Sequence, residues 1–157
     1  MASSTKEDFV DMPIMQKGVA ALSDRMPKVL SPKQHAIADY ITLGGLVLMT
    51  AMFWRRNKRA AIASLVCAGV EATNTMLTDF PGGVTDSISF RTHGKIDMGL
   101  AATCSALPNF MGFSDEPEAK WFRMMGLNIT TVGALTDFDA SPYRRRYQGR
   151  TEMRRTA

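Results

Sequence analysis

Four stretches of the chain are rich in apolar residues and nearly free of charge, and shorter polar stretches separate them. They cover residues 36–54, 60–78, 96–113 and 124–138. A helix on the surface of a soluble protein carries charged residues every three or four positions along one face. These stretches lack such a charged face. The pattern therefore predicts four helices and favours a membrane environment for them.

The lengths of the stretches are close to what a bilayer requires. The longest runs without a charged residue are 40–54 and 98–114, a little short of the roughly 20 residues that span a hydrocarbon core. Glycine and other small residues within the stretches favour helices that pack closely in lipid. We therefore predict an all-α, integral membrane four-helix bundle. A soluble helical bundle is the alternative.

Short connections join the stretches in pairs, which predicts two tight antiparallel hairpins. The connection RRNKR covers 55–59, and SDEPEAKW covers 114–121. The sequence PGG at 81–83 ends the second helix. The predicted organisation is an N-terminal extension with a partly amphipathic helix (1–34), a transmembrane hairpin (35–80), a connecting loop (81–92), a second transmembrane hairpin (93–138) and a basic C-terminal tail (139–157).

The two hairpins are predicted to be copies of one unit. A shift of 58 residues superimposes the two histidines, the aspartate four residues after each, and two LTDF tetrads. These repeated residues are His35 and His93, Asp39 and Asp97, and the tetrads at 77–80 and 135–138. Because each unit contains two helices, both units have the same orientation across the membrane. We therefore expect all the repeated polar residues at one membrane face.

The stretch LTDFPGGVTDSISFRTHGKID resembles the segment between the hairpins of small bacterial membrane proteins of the SPW-repeat type. In that family, Leu-Thr-Asp-aromatic is followed by Gly, then Ile-Pro, then His-x3-Asp. The matching residues are Leu77, Thr78, Asp79, Phe80, Gly83, Ile88, His93 and Asp97, whereas Ser89 replaces the family's Pro.

The Ser-Pro-Trp motif of the family is degenerate in this chain. In ALPNFMGF, Pro108, Gly112 and Phe113 match, but Asn109 replaces Trp, and the first copy, LMTAMFWRRNK, lacks the motif. The resemblance covers residues 31–138. It implies a four-helix membrane fold without an established chemistry.

The repeated histidines and acids form the main candidate site. The spacing H-x3-D places His and Asp on one face of a helix, where they can hydrogen-bond. We favour a structural role in which each His bonds the Asp of its own repeat, because ionisable groups at a membrane are costly unless they are paired. The alternative is a site for a divalent metal or for protons. The set comprises His35, Asp39, Asp79, His93, Asp97 and Asp137.

Glu71 lies in the middle of the second stretch and has no acidic counterpart, because Ile129 occupies the matching position. A carboxylate at this depth is expected to hydrogen-bond a polar partner such as Asn74 or Asn128. Contact with a ligand or with another subunit is the alternative.

Catalytic motifs are missing from the sequence, which contains no G-x-S-x-G, phosphate-binding loop or HExxH pattern. Cys67 and Cys104 lie within the apolar stretches without a CxxC motif, and we expect them to act as small packing residues. We therefore predict no enzymatic activity and no cofactor.

Positive charge is concentrated at the C-terminal end of a chain whose net charge is +4. Such a basic tail directly after a membrane helix is expected to bind anionic lipid headgroups or an acidic protein surface, and no nucleic acid. Its arginines are Arg144, Arg145, Arg146, Arg150, Arg154 and Arg155. The resemblance implies a multi-pass protein of the bacterial inner membrane, and the distribution of basic residues favours both termini in the cytoplasm. Residues 1–34 show no cleavable signal, and 9–30 show helical spacing of apolar residues.

These features predict a non-catalytic structural or accessory subunit that stabilises a larger membrane complex, for example an energy-transducing respiratory or photosynthetic one. A membrane protein that binds a metal, protons or a small ligand at the His/Asp set is the first alternative. A soluble helical interaction domain is the second.

Overall fold

The computed structural model describes residues 26–139, which form four α-helices and no strand. The helices are α1 (Pro32–Phe53), α2 (Lys58–Leu77), α3 (Phe90–Phe110) and α4 (Ala119–Leu135). The predicted all-α class is therefore confirmed for this part of the chain. The basic tail lies outside the described residues, as does most of the predicted amphipathic helix. Residues 26–30, at the end of that predicted helix, are not helical.

Polar side chains start three of the helices. Ser31 caps α1 in a capping box, where its backbone N–H donates to Gln34 Oε1 at 2.9 Å and its hydroxyl accepts from the Gln34 backbone N–H. Ser89, at the matching repeat position, caps α3 by accepting from the Thr92 backbone N–H at 3.1 Å. Asn57 caps α2. Such caps satisfy backbone N–H groups that have no partner within the helix.

Two short backbone pairings close the bundle at the end where α1 and α3 begin. The backbone N–H of Leu30 donates to the Leu135 carbonyl at 3.0 Å, and the N–H of Ile88 donates to the Leu77 carbonyl at 2.9 Å. Leu30 and Ile88 are 58 residues apart, as are the two leucines. Each pairing therefore joins a residue just before one repeat's first helix to the end of the other repeat's second helix.

The helices form a four-membered ring in cross-section. Contacts join α1 to α2 and α3 to α4 within the predicted hairpins, and α2–α3 and α1–α4 contacts close the ring. The main core contains Leu46, Phe53, Phe113 and Phe122, together with many alanines. Gly126 lets α4 approach α3 closely, because a Cβ at this position would lie 2.7 Å from the Ala101 carbonyl oxygen.

Candidate functional site

Two histidines meet inside the bundle, near the end where α1 and α3 begin. His35 is the fourth residue of α1 and His93 the fourth of α3, and both are fully buried. Their Nε2 atoms are 3.1 Å apart. Asp39 and Asp97 follow one helical turn later and are also buried. The spacing of four residues places each aspartate on the same helix face as its histidine.

Each imidazole contacts carboxylates from both repeats. His35 Nε2 lies 3.4 Å from Asp39 Oδ1 and 3.2 Å from Asp97 Oδ2. His93 Nε2 lies 3.0 Å from Asp97 Oδ2 and 3.2 Å from Asp39 Oδ2. The expected pairing of each His with the Asp of its own repeat accounts for only half of these contacts. The other half joins α1 to α3 across the bundle.

The threonines of the LTDF tetrads orient the two imidazoles. Thr136 Oγ1 lies 2.8 Å from His35 Nδ1, and Thr78 Oγ1 lies 2.9 Å from His93 Nδ1. Each hydroxyl donates its single hydrogen to the backbone carbonyl four residues earlier, at 2.7 Å for Thr136 and 2.6 Å for Thr78. Each threonine oxygen must therefore accept a hydrogen bond from the Nδ1–H of its histidine. A neutral imidazole held in this way carries its lone pair on Nε2.

These threonines were not among the residues predicted for the site. Their repetition 58 residues apart is visible in the sequence, but the predicted site included only the aspartate of each tetrad. Each of these hydrogen bonds also joins the two repeats, since Thr136 of the second repeat bonds His35 of the first, and Thr78 of the first repeat bonds His93 of the second. No local spacing rule indicates such an exchange.

The aspartates of the tetrads do not join the cluster. Asp79 is buried. Asp137 is exposed and accepts a hydrogen bond from the Asp139 backbone N–H at 3.0 Å. The preceding threonine is extended in both tetrads, and successive side chains of an extended segment point in opposite directions. Because the threonine faces the histidine, the aspartate faces away. The structure therefore reduces the predicted six-residue set to four residues.

Aromatic rings cover the histidines on the side of the connecting loop. Phe90 and Phe138 contact the His35 ring, with centroid distances of 5.3 Å and 5.2 Å. Phe80 contacts the His93 ring at 5.1 Å. Phe80 and Phe138 are the last residues of the two tetrads. Each tetrad therefore supplies one residue that orients an imidazole and one that shields the cluster.

An amide on α2 binds the cluster from one side only. Asn74 Nδ2 donates to Asp97 Oδ1 at 2.7 Å and to the His93 carbonyl oxygen at 3.3 Å. The matching position in the second repeat is Val132. The four central residues are therefore symmetric, while the polar groups around them are not.

Glu71 is buried one helical turn from Asn74, on the same asymmetric side. Of its two expected partners, Asn74 donates to Asp97, as above, and Asn128 donates to Thr42 Oγ1 at 3.1 Å. Within residues 26–139, four buried side-chain atoms have no hydrogen-bond partner. These atoms are Asp39 Oδ2, Glu71 Oε2, Asn74 Oδ1 and Thr75 Oγ1.

Cys67 and Cys104 lie further along the bundle, in the main core. Both are free thiols and buried, and the Cys104 thiol donates to Cys67 Sγ at 3.7 Å. They join α2 to α3 by direct contact. The arginines of the tail, Arg144 to Arg155, lie outside the described residues.

The His/Asp cluster offers two imidazole nitrogens and two carboxylates directed at one another in a buried space. Such a set can share protons or bind a metal cation. No family model, curated protein or solved structure matches this chain. The resemblance to the SPW-repeat type therefore stays a prediction.

Proposed function

We propose that the chain is a multi-pass membrane protein with a structural role, in which the buried His/Asp cluster fastens two transmembrane hairpins together. The observation that carries the proposal is the outward position of large apolar side chains. Ile41 and Leu127 are 69% and 67% exposed, and similar side chains cover α1, α2 and α4. Further exposed apolar residues include Ile37, Val47, Leu48, Ile62, Leu65, Val66 and Met124.

The interior of the bundle has the opposite composition. Alanines, Ser64 and Cys67 fill much of the buried face of α2, and the end of the bundle holds the His/Asp cluster. In water, a contiguous apolar surface of this kind would favour aggregation or association. In lipid, the same arrangement is favourable, because small residues allow close helix packing and polar groups face each other.

The helix lengths fit this environment. At about 1.5 Å per residue, α1 and α2, with 22 and 20 residues, extend over roughly the 30 Å of a hydrocarbon core. Both are long and apolar enough to cross a membrane. The other two helices are less apolar or shorter: α3 begins with charged residues, and α4 has 17 residues. Their packing against α1 and α2 supports the assignment of all four as membrane helices.

The proposed location is the bacterial inner membrane, with both termini in the cytoplasm. Charged residues mark the opposite end of the bundle, where the Arg59 guanidinium donates to the Gly112 carbonyl oxygen at 2.7 Å and pairs with Glu116. Arg56 and Glu118 are also paired there. A charged network suits a membrane surface and not the bilayer core.

A pair of lysine substitutions tests the membrane assignment. Ile41 lies near the middle of α1 and Val84 lies in the loop after α2, and the two side chains are almost equally exposed, at 69% and 70%. A lysine at the centre of a membrane helix costs about 3 kcal/mol on insertion scales. We expect Ile41→Lys to reduce the amount of protein in the membrane fraction and Val84→Lys to leave it unchanged.

The measurement is fractionation of cells that express the full chain, followed by alkaline extraction and detergent solubilisation. The wild-type protein is expected to stay in the membrane pellet until detergent is added. Recovery in the aqueous fraction without detergent, together with equal behaviour of both lysine variants, would favour the soluble interaction domain instead.

The accessory-subunit role rests on the basic tail. Arginines directly after a membrane helix can bind acidic headgroups or an acidic surface of a neighbouring subunit. We expect a tagged full-length chain, extracted in mild detergent, to co-purify with a stoichiometric membrane partner. Deletion of 143–157 or of 1–30 is expected to release that partner. Purification of a stable, isolated monomer from the native membrane would contradict this role.

A further inference from the structure

We propose that the His/Asp cluster is a zinc site, in which His35, Asp39, His93 and Asp97 bind one Zn²⁺ ion. The ligands are Nε2 of each histidine and one carboxylate oxygen of each aspartate. One ligand atom from each of the four residues lies within 4.8 Å of the others. The inference goes beyond the structural role above, because it assigns a resident cation to the contact between the two repeats.

The nitrogen–nitrogen and nitrogen–oxygen distances in the cluster are close to those around a tetrahedral ion. Zinc bonds to imidazole nitrogen and carboxylate oxygen are about 2.0–2.2 Å, so neighbouring ligand atoms of a tetrahedron are roughly 3.3–3.6 Å apart. The two Nε2 atoms are 3.1 Å apart, and each lies 3.0 to 3.2 Å from Oδ2 of Asp97. The two oxygens of Asp39 are shared between the histidines, since Oδ1 lies 3.4 Å from His35 Nε2 and Oδ2 lies 3.2 Å from His93 Nε2. One ligand atom of each of the four residues lies within 4.8 Å of the others, so a contraction of the cluster around an ion would bring all four atoms to bonding distance.

The hydrogen bonds to threonine prepare both imidazoles for metal binding. Because Thr136 and Thr78 accept from Nδ1–H, the lone pair of each neutral ring is on Nε2 and points at the other histidine. Two lone pairs that face each other at 3.1 Å repel unless a proton or a metal ion lies between them. Metal-binding histidines commonly donate their second ring N–H to a protein oxygen in this way.

The hydrogen bonds around the two carboxylates also leave one oxygen of each available to a metal ion. Asn74 donates to Oδ1 of Asp97 at 2.7 Å and leaves Oδ2, the oxygen in contact with both imidazoles, free of that bond. Asp39 is 96% buried, and its Oδ2 has no hydrogen-bond partner among the described residues, although it lies 3.2 Å from His93 Nε2. A cation beside this buried carboxylate oxygen would satisfy it.

Charge and ligand type favour zinc over other common ions. The two aspartates carry two negative charges in a buried space, and one Zn²⁺ ion neutralises both. Magnesium and calcium bind six or more oxygen ligands, whereas two imidazoles and two carboxylates suit a four-coordinate transition-metal ion. The ring of phenylalanines around the histidines limits access of water, which is typical of a closed structural site.

Metal content and the cobalt spectrum of the full-length protein test the inference. The chain is purified in detergent without a histidine tag, and its zinc content is measured by elemental analysis. We expect about one zinc ion per chain. Cobalt(II) is then substituted for zinc, and we expect the intense visible absorption of a four-coordinate ion.

The variants separate metal binding from folding. We expect His35→Ala/His93→Ala to lose the ion, and Asp97→Asn, which keeps the shape of the side chain, to bind zinc at least ten-fold more weakly. Asp137→Asn is the matched control, since it changes a repeated acid that lies outside the cluster, and it is expected to bind like the wild type. Circular dichroism and size-exclusion chromatography establish that each variant is folded.

Two results would overturn the zinc site. One is wild-type protein that takes up no more zinc than the double-histidine variant, as expected if the cluster shares only protons. The other is the weak spectrum of six-coordinate cobalt, which would show that the four residues do not enclose the ion. If the double-histidine variant does not fold, Asp97→Asn and the wild-type spectrum decide the question.

Discussion

At the residue scale, the threonines of the two LTDF tetrads contact the histidines, whereas the sequence pattern predicted that the aspartates of the tetrads would do so. Thr78 and Thr136 are buried at the ends of α2 and α4. Each gives its hydrogen to its own helix and accepts the Nδ1–H of a histidine from the other repeat. Without this acceptor, a buried ring N–H would have no partner, and the direction of Nε2 would no longer be fixed.

Replacing these threonines by valine is expected to destabilise the fold. Valine has nearly the same shape but cannot accept the hydrogen bond, and an unpaired buried N–H costs about 1–3 kcal/mol. We expect Thr78→Val and Thr136→Val each to lower the free energy of unfolding by that amount, measured by denaturant titration of the detergent-solubilised protein with circular dichroism.

Thr73 and Thr131 provide the matched controls. They are also 58 residues apart, and each donates to the carbonyl oxygen four residues earlier at 2.8 Å, but both side chains are exposed. Their substitution by valine is expected to change stability by less than about 0.5 kcal/mol. Equal losses at the control and buried positions would show that the histidine contact contributes nothing.

The sequence predicted part of this site for a local reason. The spacing of four residues between His35 and Asp39 fixes their common helix face, and the same holds for His93 and Asp97. The bond between His35 and Thr136 joins residues 101 positions apart. Such a contact depends on how helices from different repeats pack, so local periodicity could not predict it.

At the scale of the elements, hydrophobic stretches located all four helices but misplaced their starts. The stretch that begins at residue 96 corresponds to a helix that begins at Phe90. The first turns of α3 contain Arg91 and Lys95, which are polar and exposed, and the helix extends back to its cap at Ser89. Apolar composition marks the part of a helix that packs or faces lipid, whereas polar caps mark where it begins.

Close packing of α3 and α4 depends on Gly126. A Cβ at this position would lie 2.7 Å from the Ala101 carbonyl oxygen, so the two helices would have to separate. We expect Gly126→Ala to destabilise the protein by about 1–3 kcal/mol, although alanine has the higher helix propensity by about 1 kcal/mol. The measurement is the midpoint of thermal unfolding in detergent.

Gly99 is the control on the facing helix. A Cβ there would meet no atom within 4 Å, so Gly99→Ala is expected to keep or raise the unfolding midpoint through helix propensity alone. If Gly126→Ala stabilised the protein as much as Gly99→Ala does, the close approach of α3 and α4 would be disproved.

At the scale of the whole molecule, three sets of contacts join the two repeats. Backbone pairings close the bundle at one end, the His/Asp cluster links α1 to α3 near the same end, and Cys67 contacts Cys104 in the main core. The sequence predicted the pairing of helices within each hairpin, because their connections are short. It left open how the hairpins pack on each other, since the loop of 81–92 is long enough for several arrangements.

The cysteine contact allows a direct check of how the hairpins pack. The Sγ atoms of Cys67 on α2 and Cys104 on α3 are 3.7 Å apart, so a small movement would let them bond. We expect diamide, which removes one hydrogen from each thiol and is itself reduced to a hydrazine, to form one intramolecular disulfide. The product is detected as faster migration on a non-reducing gel and as loss of two alkylatable thiols by mass spectrometry.

The Cys67→Ala variant is the control, and its migration is expected to stay unchanged by diamide. Because Cys67 lies on α2 and Cys104 on α3, an internal bond requires α2 to pack on α3. A wild-type chain that forms cross-linked dimers but no internal bond would therefore contradict this arrangement. For the membrane protein proposed above, the reaction should also proceed in intact membranes, since diamide is small and uncharged. Agreement between membranes and detergent would establish that the contact between the repeats belongs to the native protein.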